Sequence, residues 1–229
     1  MSPMTSLVVA CVVFVGSHFL LSHPLRAPLI ARMGKGLFLA FYSLVALLSL
    51  SWMIYAFRAT NGGTAYWASS DALWAAASVV MLFASILFAG SLSGNPAFPD
   101  PRARMHVTKP AEGVFTITRH PMMWSFILWG MVHIVLMPTN ANIVLAGSIM
   151  FLAFFGALAQ DRKKVRQLGT GWQGWRGRTA FVPFGMQLSG KAGWRDVVPS
   201  AGEFTVGTVI WLGATWAHGG VGAGIWRWI

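Results

Sequence analysis

Six apolar stretches, at about 4–22, 36–57, 72–93, 121–137, 141–160 and 203–218, carry few or no charges and limit what this chain can fold into. A helical crossing of a roughly 30 Å hydrocarbon core takes about 20 apolar residues, so each run is a candidate span. Backbone polar groups in lipid must be paired internally, which leaves helices or closed barrels, and these runs lack the alternation of barrel strands. The chain is therefore expected to be all-α, a polytopic transmembrane bundle of about six spans forming a single domain over 1–229. Composition agrees, since only 10% of the residues are charged, against roughly 25% in a soluble globular domain.

The net charge of +11 would suggest nucleic acid in a soluble protein. Here fifteen of the 17 basic residues follow the first, third and fifth runs: Arg26, Arg32 and Lys35; then Arg102, Arg104, Lys109 and Arg119; then eight from Arg162 to Arg195. The positive-inside rule places these loops in the cytoplasm and both termini on the outer side. Anionic membrane lipid accounts for the charge, and no nucleic-acid partner is expected. The single Cys11 excludes an intramolecular disulfide and a cysteine-based metal cluster. No basic residue precedes Arg26, so the first run lacks the positive flank of a cleaved signal and is expected to remain as a span.

Two cytoplasmic connections are longer than bundle loops usually are. The first, SGNPAFPDPRARMHVTKPAEGVFTITRHP, contains five prolines, and its last, Pro121, suits the first turn of a helix. The second, AQDRKKVRQLGTGWQGWRGRTAFVPF, reads as a basic helix continuation followed by spaced Gly and Trp. Trp172 and Trp175 stand three apart, which suggests a short segment lying along the headgroups.

Among the six histidines, depth matters more than number. His23 and His106 fall in loops, and His218 falls near the outer end of the last run beside Trp211 and Trp216, where an aromatic belt is expected. His18 and His133 lie inside the first and fourth runs, where a polar side chain needs a partner or a task. His133 is 14 residues beyond Arg119 and His18 is 14 before Arg32, roughly 21 Å of helix in each case. The two rings would share a depth, although Pro24 and Pro28 can shift His18 by a turn or two. Such a pair suits a b-type haem, with Arg26, Arg32 or Arg119 as partners for its propionates. The alternative is a pair hydrogen-bonded to helix carbonyls or to hydroxyls such as Ser17 or Ser125. A metal without porphyrin is disfavoured, because no Asp or Glu within the spans completes a site. His120 differs: beside Arg119 at a helix start it favours an anionic group, a phosphate, carboxylate or propionate. Otherwise Arg119 snorkels to the headgroups and His120 packs at the interface.

SHFLLSHPLRAPL (17–29), FYSLVALLSLSWMIYAF (41–57), GVFTITRHPMMWSFILWGMVH (113–133), DRKK (161–164) and TAFVPF (179–184) together resemble the NnrU family over about 1–185. That family comprises bacterial membrane proteins associated with nitrite and nitric oxide reductase expression in denitrifiers, and its domain is shared with zeta-carotene isomerase, a haem b protein. The resemblance implies a bacterial inner-membrane location and haem b held by His18 and by His133, which ends the stretch from Trp129. It also implies that reduction of the iron frees a coordination position, which would make nitric oxide a ligand and the protein a sensor or assembly factor in denitrification. Gly130 stands where the isomerase has a cysteine near the second ligand, so the resemblance alone does not establish its ligand-exchange chemistry here.

Whether the chain is an enzyme stays open at this point. An isomerase of a polyene lipid such as zeta-carotene is the first alternative. A more distant likeness, to the isoprenylcysteine and phosphatidylethanolamine methyltransferases, rests on Arg119, His120 and Pro121, on Gly169, Trp172 and Trp175, and on Pro183. It implies a shared fold and an S-adenosylmethionine site at the Arg-His-Pro motif. Gln160 and Asp161 replace that pattern's two glutamates, and tryptophans replace its tyrosines, which weighs against methyl transfer. A cofactor-free membrane scaffold is the remaining alternative.

Overall fold

The computed structural model describes residues 1–98 and 102–229, so Pro99, Asp100 and Pro101 of the proline-punctuated loop lie outside the described residues. The chain is all-helical, with no strand among the described residues. The helices are α1 (Pro3–Ser22), α2 (Arg26–Ala59), α3 (Asp71–Ser91), α4 (Ala103–His106), α5 (Pro121–Leu136), α6 (Asn140–Leu168), α7 (Thr170–Arg178), α8 (Gly185–Leu188) and α9 (Ala201–Ala217), with short 3₁₀ turns between and after them. Four of them, α1, α2, α3 and α6, are long and apolar enough to cross a membrane. The fourth and sixth apolar runs form α5, of 16 residues, and α9, of 17, about 24–26 Å each and short of a roughly 30 Å core. Pro121 at one end and the Pro138–Thr139 turn at the other bound the fourth run.

Two compact units divide the chain: Met1–Ser69 with His133–Leu152, and Ser70–Val132 with Ala153–Ile229. In the first, Ser2 caps α1 by accepting the Thr5 N–H at 3.1 Å, with Pro3 opening the helix. Leu7, Ala10 and Cys11 pack with Met53 and Ala56 of α2 and with Ala141 of α6. The basic stretch holding Arg26, Arg32 and Lys35, expected as a loop, is helical instead. Pro28 falls in the first turn of α2, where a missing N–H costs nothing. The interruption comes later, at Gly34, whose φ of +80° glycine tolerates and other residues resist. The turn between the fourth and fifth runs is closed by Asn142, whose side-chain amide donates to the carbonyls of His133 and Met137.

In the second unit, Ile86 and Leu87 of α3 meet Val114, Phe115, Ile117, Trp172 and Trp175 in one core. Trp172 and Trp175, expected along the headgroups, are 0% and 2% exposed. The reason is that α7 turns its basic residues outward and its two indoles inward; burying aromatic area outweighs an interfacial position. Helix α9 starts with a reciprocal cap, Ser200 accepting the Glu203 N–H while Glu203 accepts the Ser200 N–H at 2.7 Å. The other Glu203 oxygen accepts the Val114 N–H.

Helices α3 and α9 cross closely at Gly207, where a β-carbon would come 2.6 Å from the Ile86 Cα. Backbone cannot yield as a flexible side chain can. Gly207→Ala is expected to lower stability by about 1–3 kcal/mol, seen as a lower thermal midpoint in detergent. Gly202→Ala, on the same helix with open space around it, is expected to leave the midpoint unchanged or raise it.

Candidate functional site

His18 stands one turn before the end of α1. Its Nδ1 lies 2.7 Å from the Phe14 carbonyl. A carbonyl only accepts, so Nδ1–H donates and the neutral ring keeps the Nε2 lone pair. Phe14 lies against the ring with centroids 4.3 Å apart, and Tyr42 of α2 meets it edge-on at 5.7 Å and 77°. The Tyr42 hydroxyl accepts from Ser22 Oγ at 3.3 Å. The Ser17 and Ser125 hydroxyls bond backbone rather than histidine, Ser17 donating to the Phe14 carbonyl and Ser125 to that of Met122.

His133 is half-buried on α5, three residues before its end, and belongs to the same compact unit as His18. Arg26 and Arg32 are in that unit too. The Arg26 guanidinium lies 5.2 Å from the Phe38 ring centroid, a cation–π contact, while Arg32 is exposed on α2. A ligating histidine ordinarily donates its other ring N–H to a carbonyl or carboxylate, which fixes its tautomer and rotation. His18 has that arrangement, through the helix-carbonyl contact that the alternative to haem also expects, and its Nε2 stays able to act as an iron ligand. His218 makes the same contact at the end of α9, its Nδ1 2.7 Å from the Ala214 carbonyl, but on an exposed surface.

Arg119 and His120 belong to the second unit and are occupied by the chain itself. Asp161 of α6 takes Arg119 Nε at 3.0 and 3.1 Å and Nη2 at 2.5 Å, while its Oδ1 lies 2.8 Å from His120 Nε2. Arg119 Nη1 donates to the Thr179 carbonyl, and the Arg119 backbone N–H to that of Ala180. Phe181 lies against both side chains. The anionic group that the motif attracts is thus an internal carboxylate. Arg119 and His120 are 7% and 2% exposed, so neither snorkels. Burial pushes the His120 imidazole below its ordinary range, although Asp161 pulls the other way.

The sequence marked Asp161 only as a substitute for a glutamate, and it gave Tyr42 no role. A lone carboxylate beside a basic run, and a phenol in an apolar run, each call for a partner; those were the available signals.

The model of the family described as NnrU protein matches residues 6–224. The chain belongs to the NnrU family. A relative in Arabidopsis thaliana, 15-cis-zeta-carotene isomerase, chloroplastic, is 25% identical over 150 residues, which is 63% of this NnrU-family chain and 40% of the plant protein. The chain thus matches well under half the length of that relative. No solved structure matches it.

Asp161→Asn would leave the Arg119 charge buried without its counter-charge, and breaking a buried pair costs about 3–5 kcal/mol. Thermal unfolding in detergent is expected to show the loss. Because His120 binds protons less readily when folded, its contribution is intact above the unfolded pKa of about 6.5 and lost as pH falls below it. A thermal midpoint measured from pH 8 to 5 should fall below that point, and less steeply in His120→Gln.

Proposed function

We propose that this NnrU-family chain is a bacterial inner-membrane protein that holds a b-type haem through His18 and His133 and serves nitrite and nitric oxide reduction. The observation that carries this reading is the 2.7 Å contact from His18 Nδ1 to the Phe14 carbonyl. It fixes the ring and strengthens Nε2 as a donor. His133, in the same compact unit, is the second ligand, and Arg26 and Arg32 are the cationic partners for the haem carboxylates. Arg119 and His120 are given no haem contact, because Asp161 already takes their donors. Haem iron bound there would supply one-electron exchange and a position for a diatomic ligand such as nitric oxide. Six crossings with both termini outward fit the placement of the basic residues, with α5 and α9 as the short crossings.

The protein purified in detergent from cells well supplied with haem is expected to give a b-type reduced-minus-oxidised spectrum. His18→Ala and His133→Ala should each lose it or turn high-spin. A haem-free wild-type protein would sink the reading. Nitric oxide added to the reduced protein is expected to shift the spectrum; an unchanged spectrum would remove the diatomic ligand but keep the haem.

One observation favours a second reading, a haem-dependent isomerase of a polyene lipid. A shallow, open groove runs between α1 and the first half of α6, past Cys11, Val15, Gly16, Gly147 and Phe151, where an extended apolar chain could lie. Its lining is apolar apart from Ser148 and Cys11. Co-expression with zeta-carotene and an unchanged isomer profile would count against this reading.

A further inference from the structure

We infer that Tyr42 is a positioning residue for His18: it sets the rotation of the imidazole and so the direction in which Nε2 is presented. This rests on the haem-binding reading above. His18 and Ser22 are one turn apart on α1, and Tyr42 engages both, its ring against the imidazole at 5.7 Å and its hydroxyl with Ser22 Oγ at 3.3 Å. The Phe14 carbonyl fixes the imidazole at Nδ1 only, which leaves rotation about that hydrogen bond. An edge-on ring at 77° closes that freedom from the α2 side, as Phe14 closes it from α1.

Tyr42 is itself held. Phe38 precedes it by one turn of α2, is fully buried, and lies 6.2 Å away between ring centroids. Arg26 in turn covers the Phe38 ring. A phenol in an apolar membrane helix needs a hydrogen-bond partner, and Ser22 supplies one that also sets where the ring sits. The ring does the positioning and is seated against Phe38; the hydroxyl adds a tie to α1. Groups that orient a metal ligand commonly cost about 10–100-fold in affinity when removed.

The test compares Tyr42→Leu, Tyr42→Phe and Ser22→Ala with wild type and His18→Ala, each purified in detergent and shown to be folded by its unfolding transition. Haem retention against an apo-globin acceptor, the spin state of the ferric spectrum and the midpoint potential are read for each. Tyr42→Leu is expected to lose haem about 10-fold faster or more, with a high-spin fraction and a shifted potential. Tyr42→Phe keeps the ring and should restore low spin. Ser22→Ala should resemble Tyr42→Phe. A folded Tyr42→Leu protein with wild-type spin state, potential and retention would overturn the inference, because a mere staple between α1 and α2 would change only the unfolding transition. If that result accompanies haem loss in His18→Ala, the inference falls alone; a wild-type protein without haem brings down the inference together with the reading beneath it.

Discussion

Asp161 is the carboxylate on which the second unit depends. Removing charge from water costs several kcal/mol per ion even after relaxation, and here a guanidinium and a carboxylate are both nearly out of solvent. The cost is offset because every donor has a destination: Arg119 Nε and Nη2 on Asp161, Nη1 on the Thr179 carbonyl, and His120 Nε2 on the remaining side of the carboxylate. Three segments distant in sequence are tied at this point: the start of α5, the far part of α6, and the stretch after α7. Thr118 extends the tie by donating to the Phe181 carbonyl at 2.7 Å, and Trp124 donates to the same carbonyl from the next turn. The two buried indoles of α7 pack within this unit, in the core with α3.

The same economy of partners governs polar groups in the first unit. Asn142 has two carbonyls for its amide, Tyr42 has Ser22, and His18 has the Phe14 carbonyl. A histidine tied at one nitrogen differs from the Arg119–His120–Asp161 group in an important way. In the latter, His120 is tied at Nε2 and its Nδ1 is sealed in the interior with no hydrogen-bond partner among the described residues, while half-buried His18 is tied at Nδ1 and keeps its Nε2 pair. Burial and the Asp161 contacts close the Arg-His-Pro motif to a large ligand, which is why haem is proposed at His18 and His133 instead.

Much of the helical organisation was legible from hydropathy, because apolar run length is a one-dimensional property. The start of α5 at Pro121 and the continuation of the fifth run into a basic helix were both readable. The helical state of Arg26–Lys35 was not: charge suggested a loop, but a stretch of Ala, Leu and Ile between two arginines, with its proline in the first turn, has nothing to stop it continuing a helix until Gly34. Trp172 and Trp175 were misplaced because spacing alone cannot tell an indole facing headgroups from one facing a core. His18 and His133 are conspicuous in the sequence because a polar group deep in an apolar run stands out; Tyr42 and Asp161 acquired meaning only when the partners they meet across the fold were visible.

The most direct test of the central claim, that two histidines of this chain hold iron, is pulsed electron paramagnetic resonance of the ferric protein grown with ¹⁵N-labelled histidine. Ligation by two histidines predicts a low-spin signal coupled to ¹⁵N nuclei of two strongly bound imidazoles, a signal that disappears when His18 or His133 is replaced. Coupling to a single histidine, or a signal indifferent to both replacements, would contradict it.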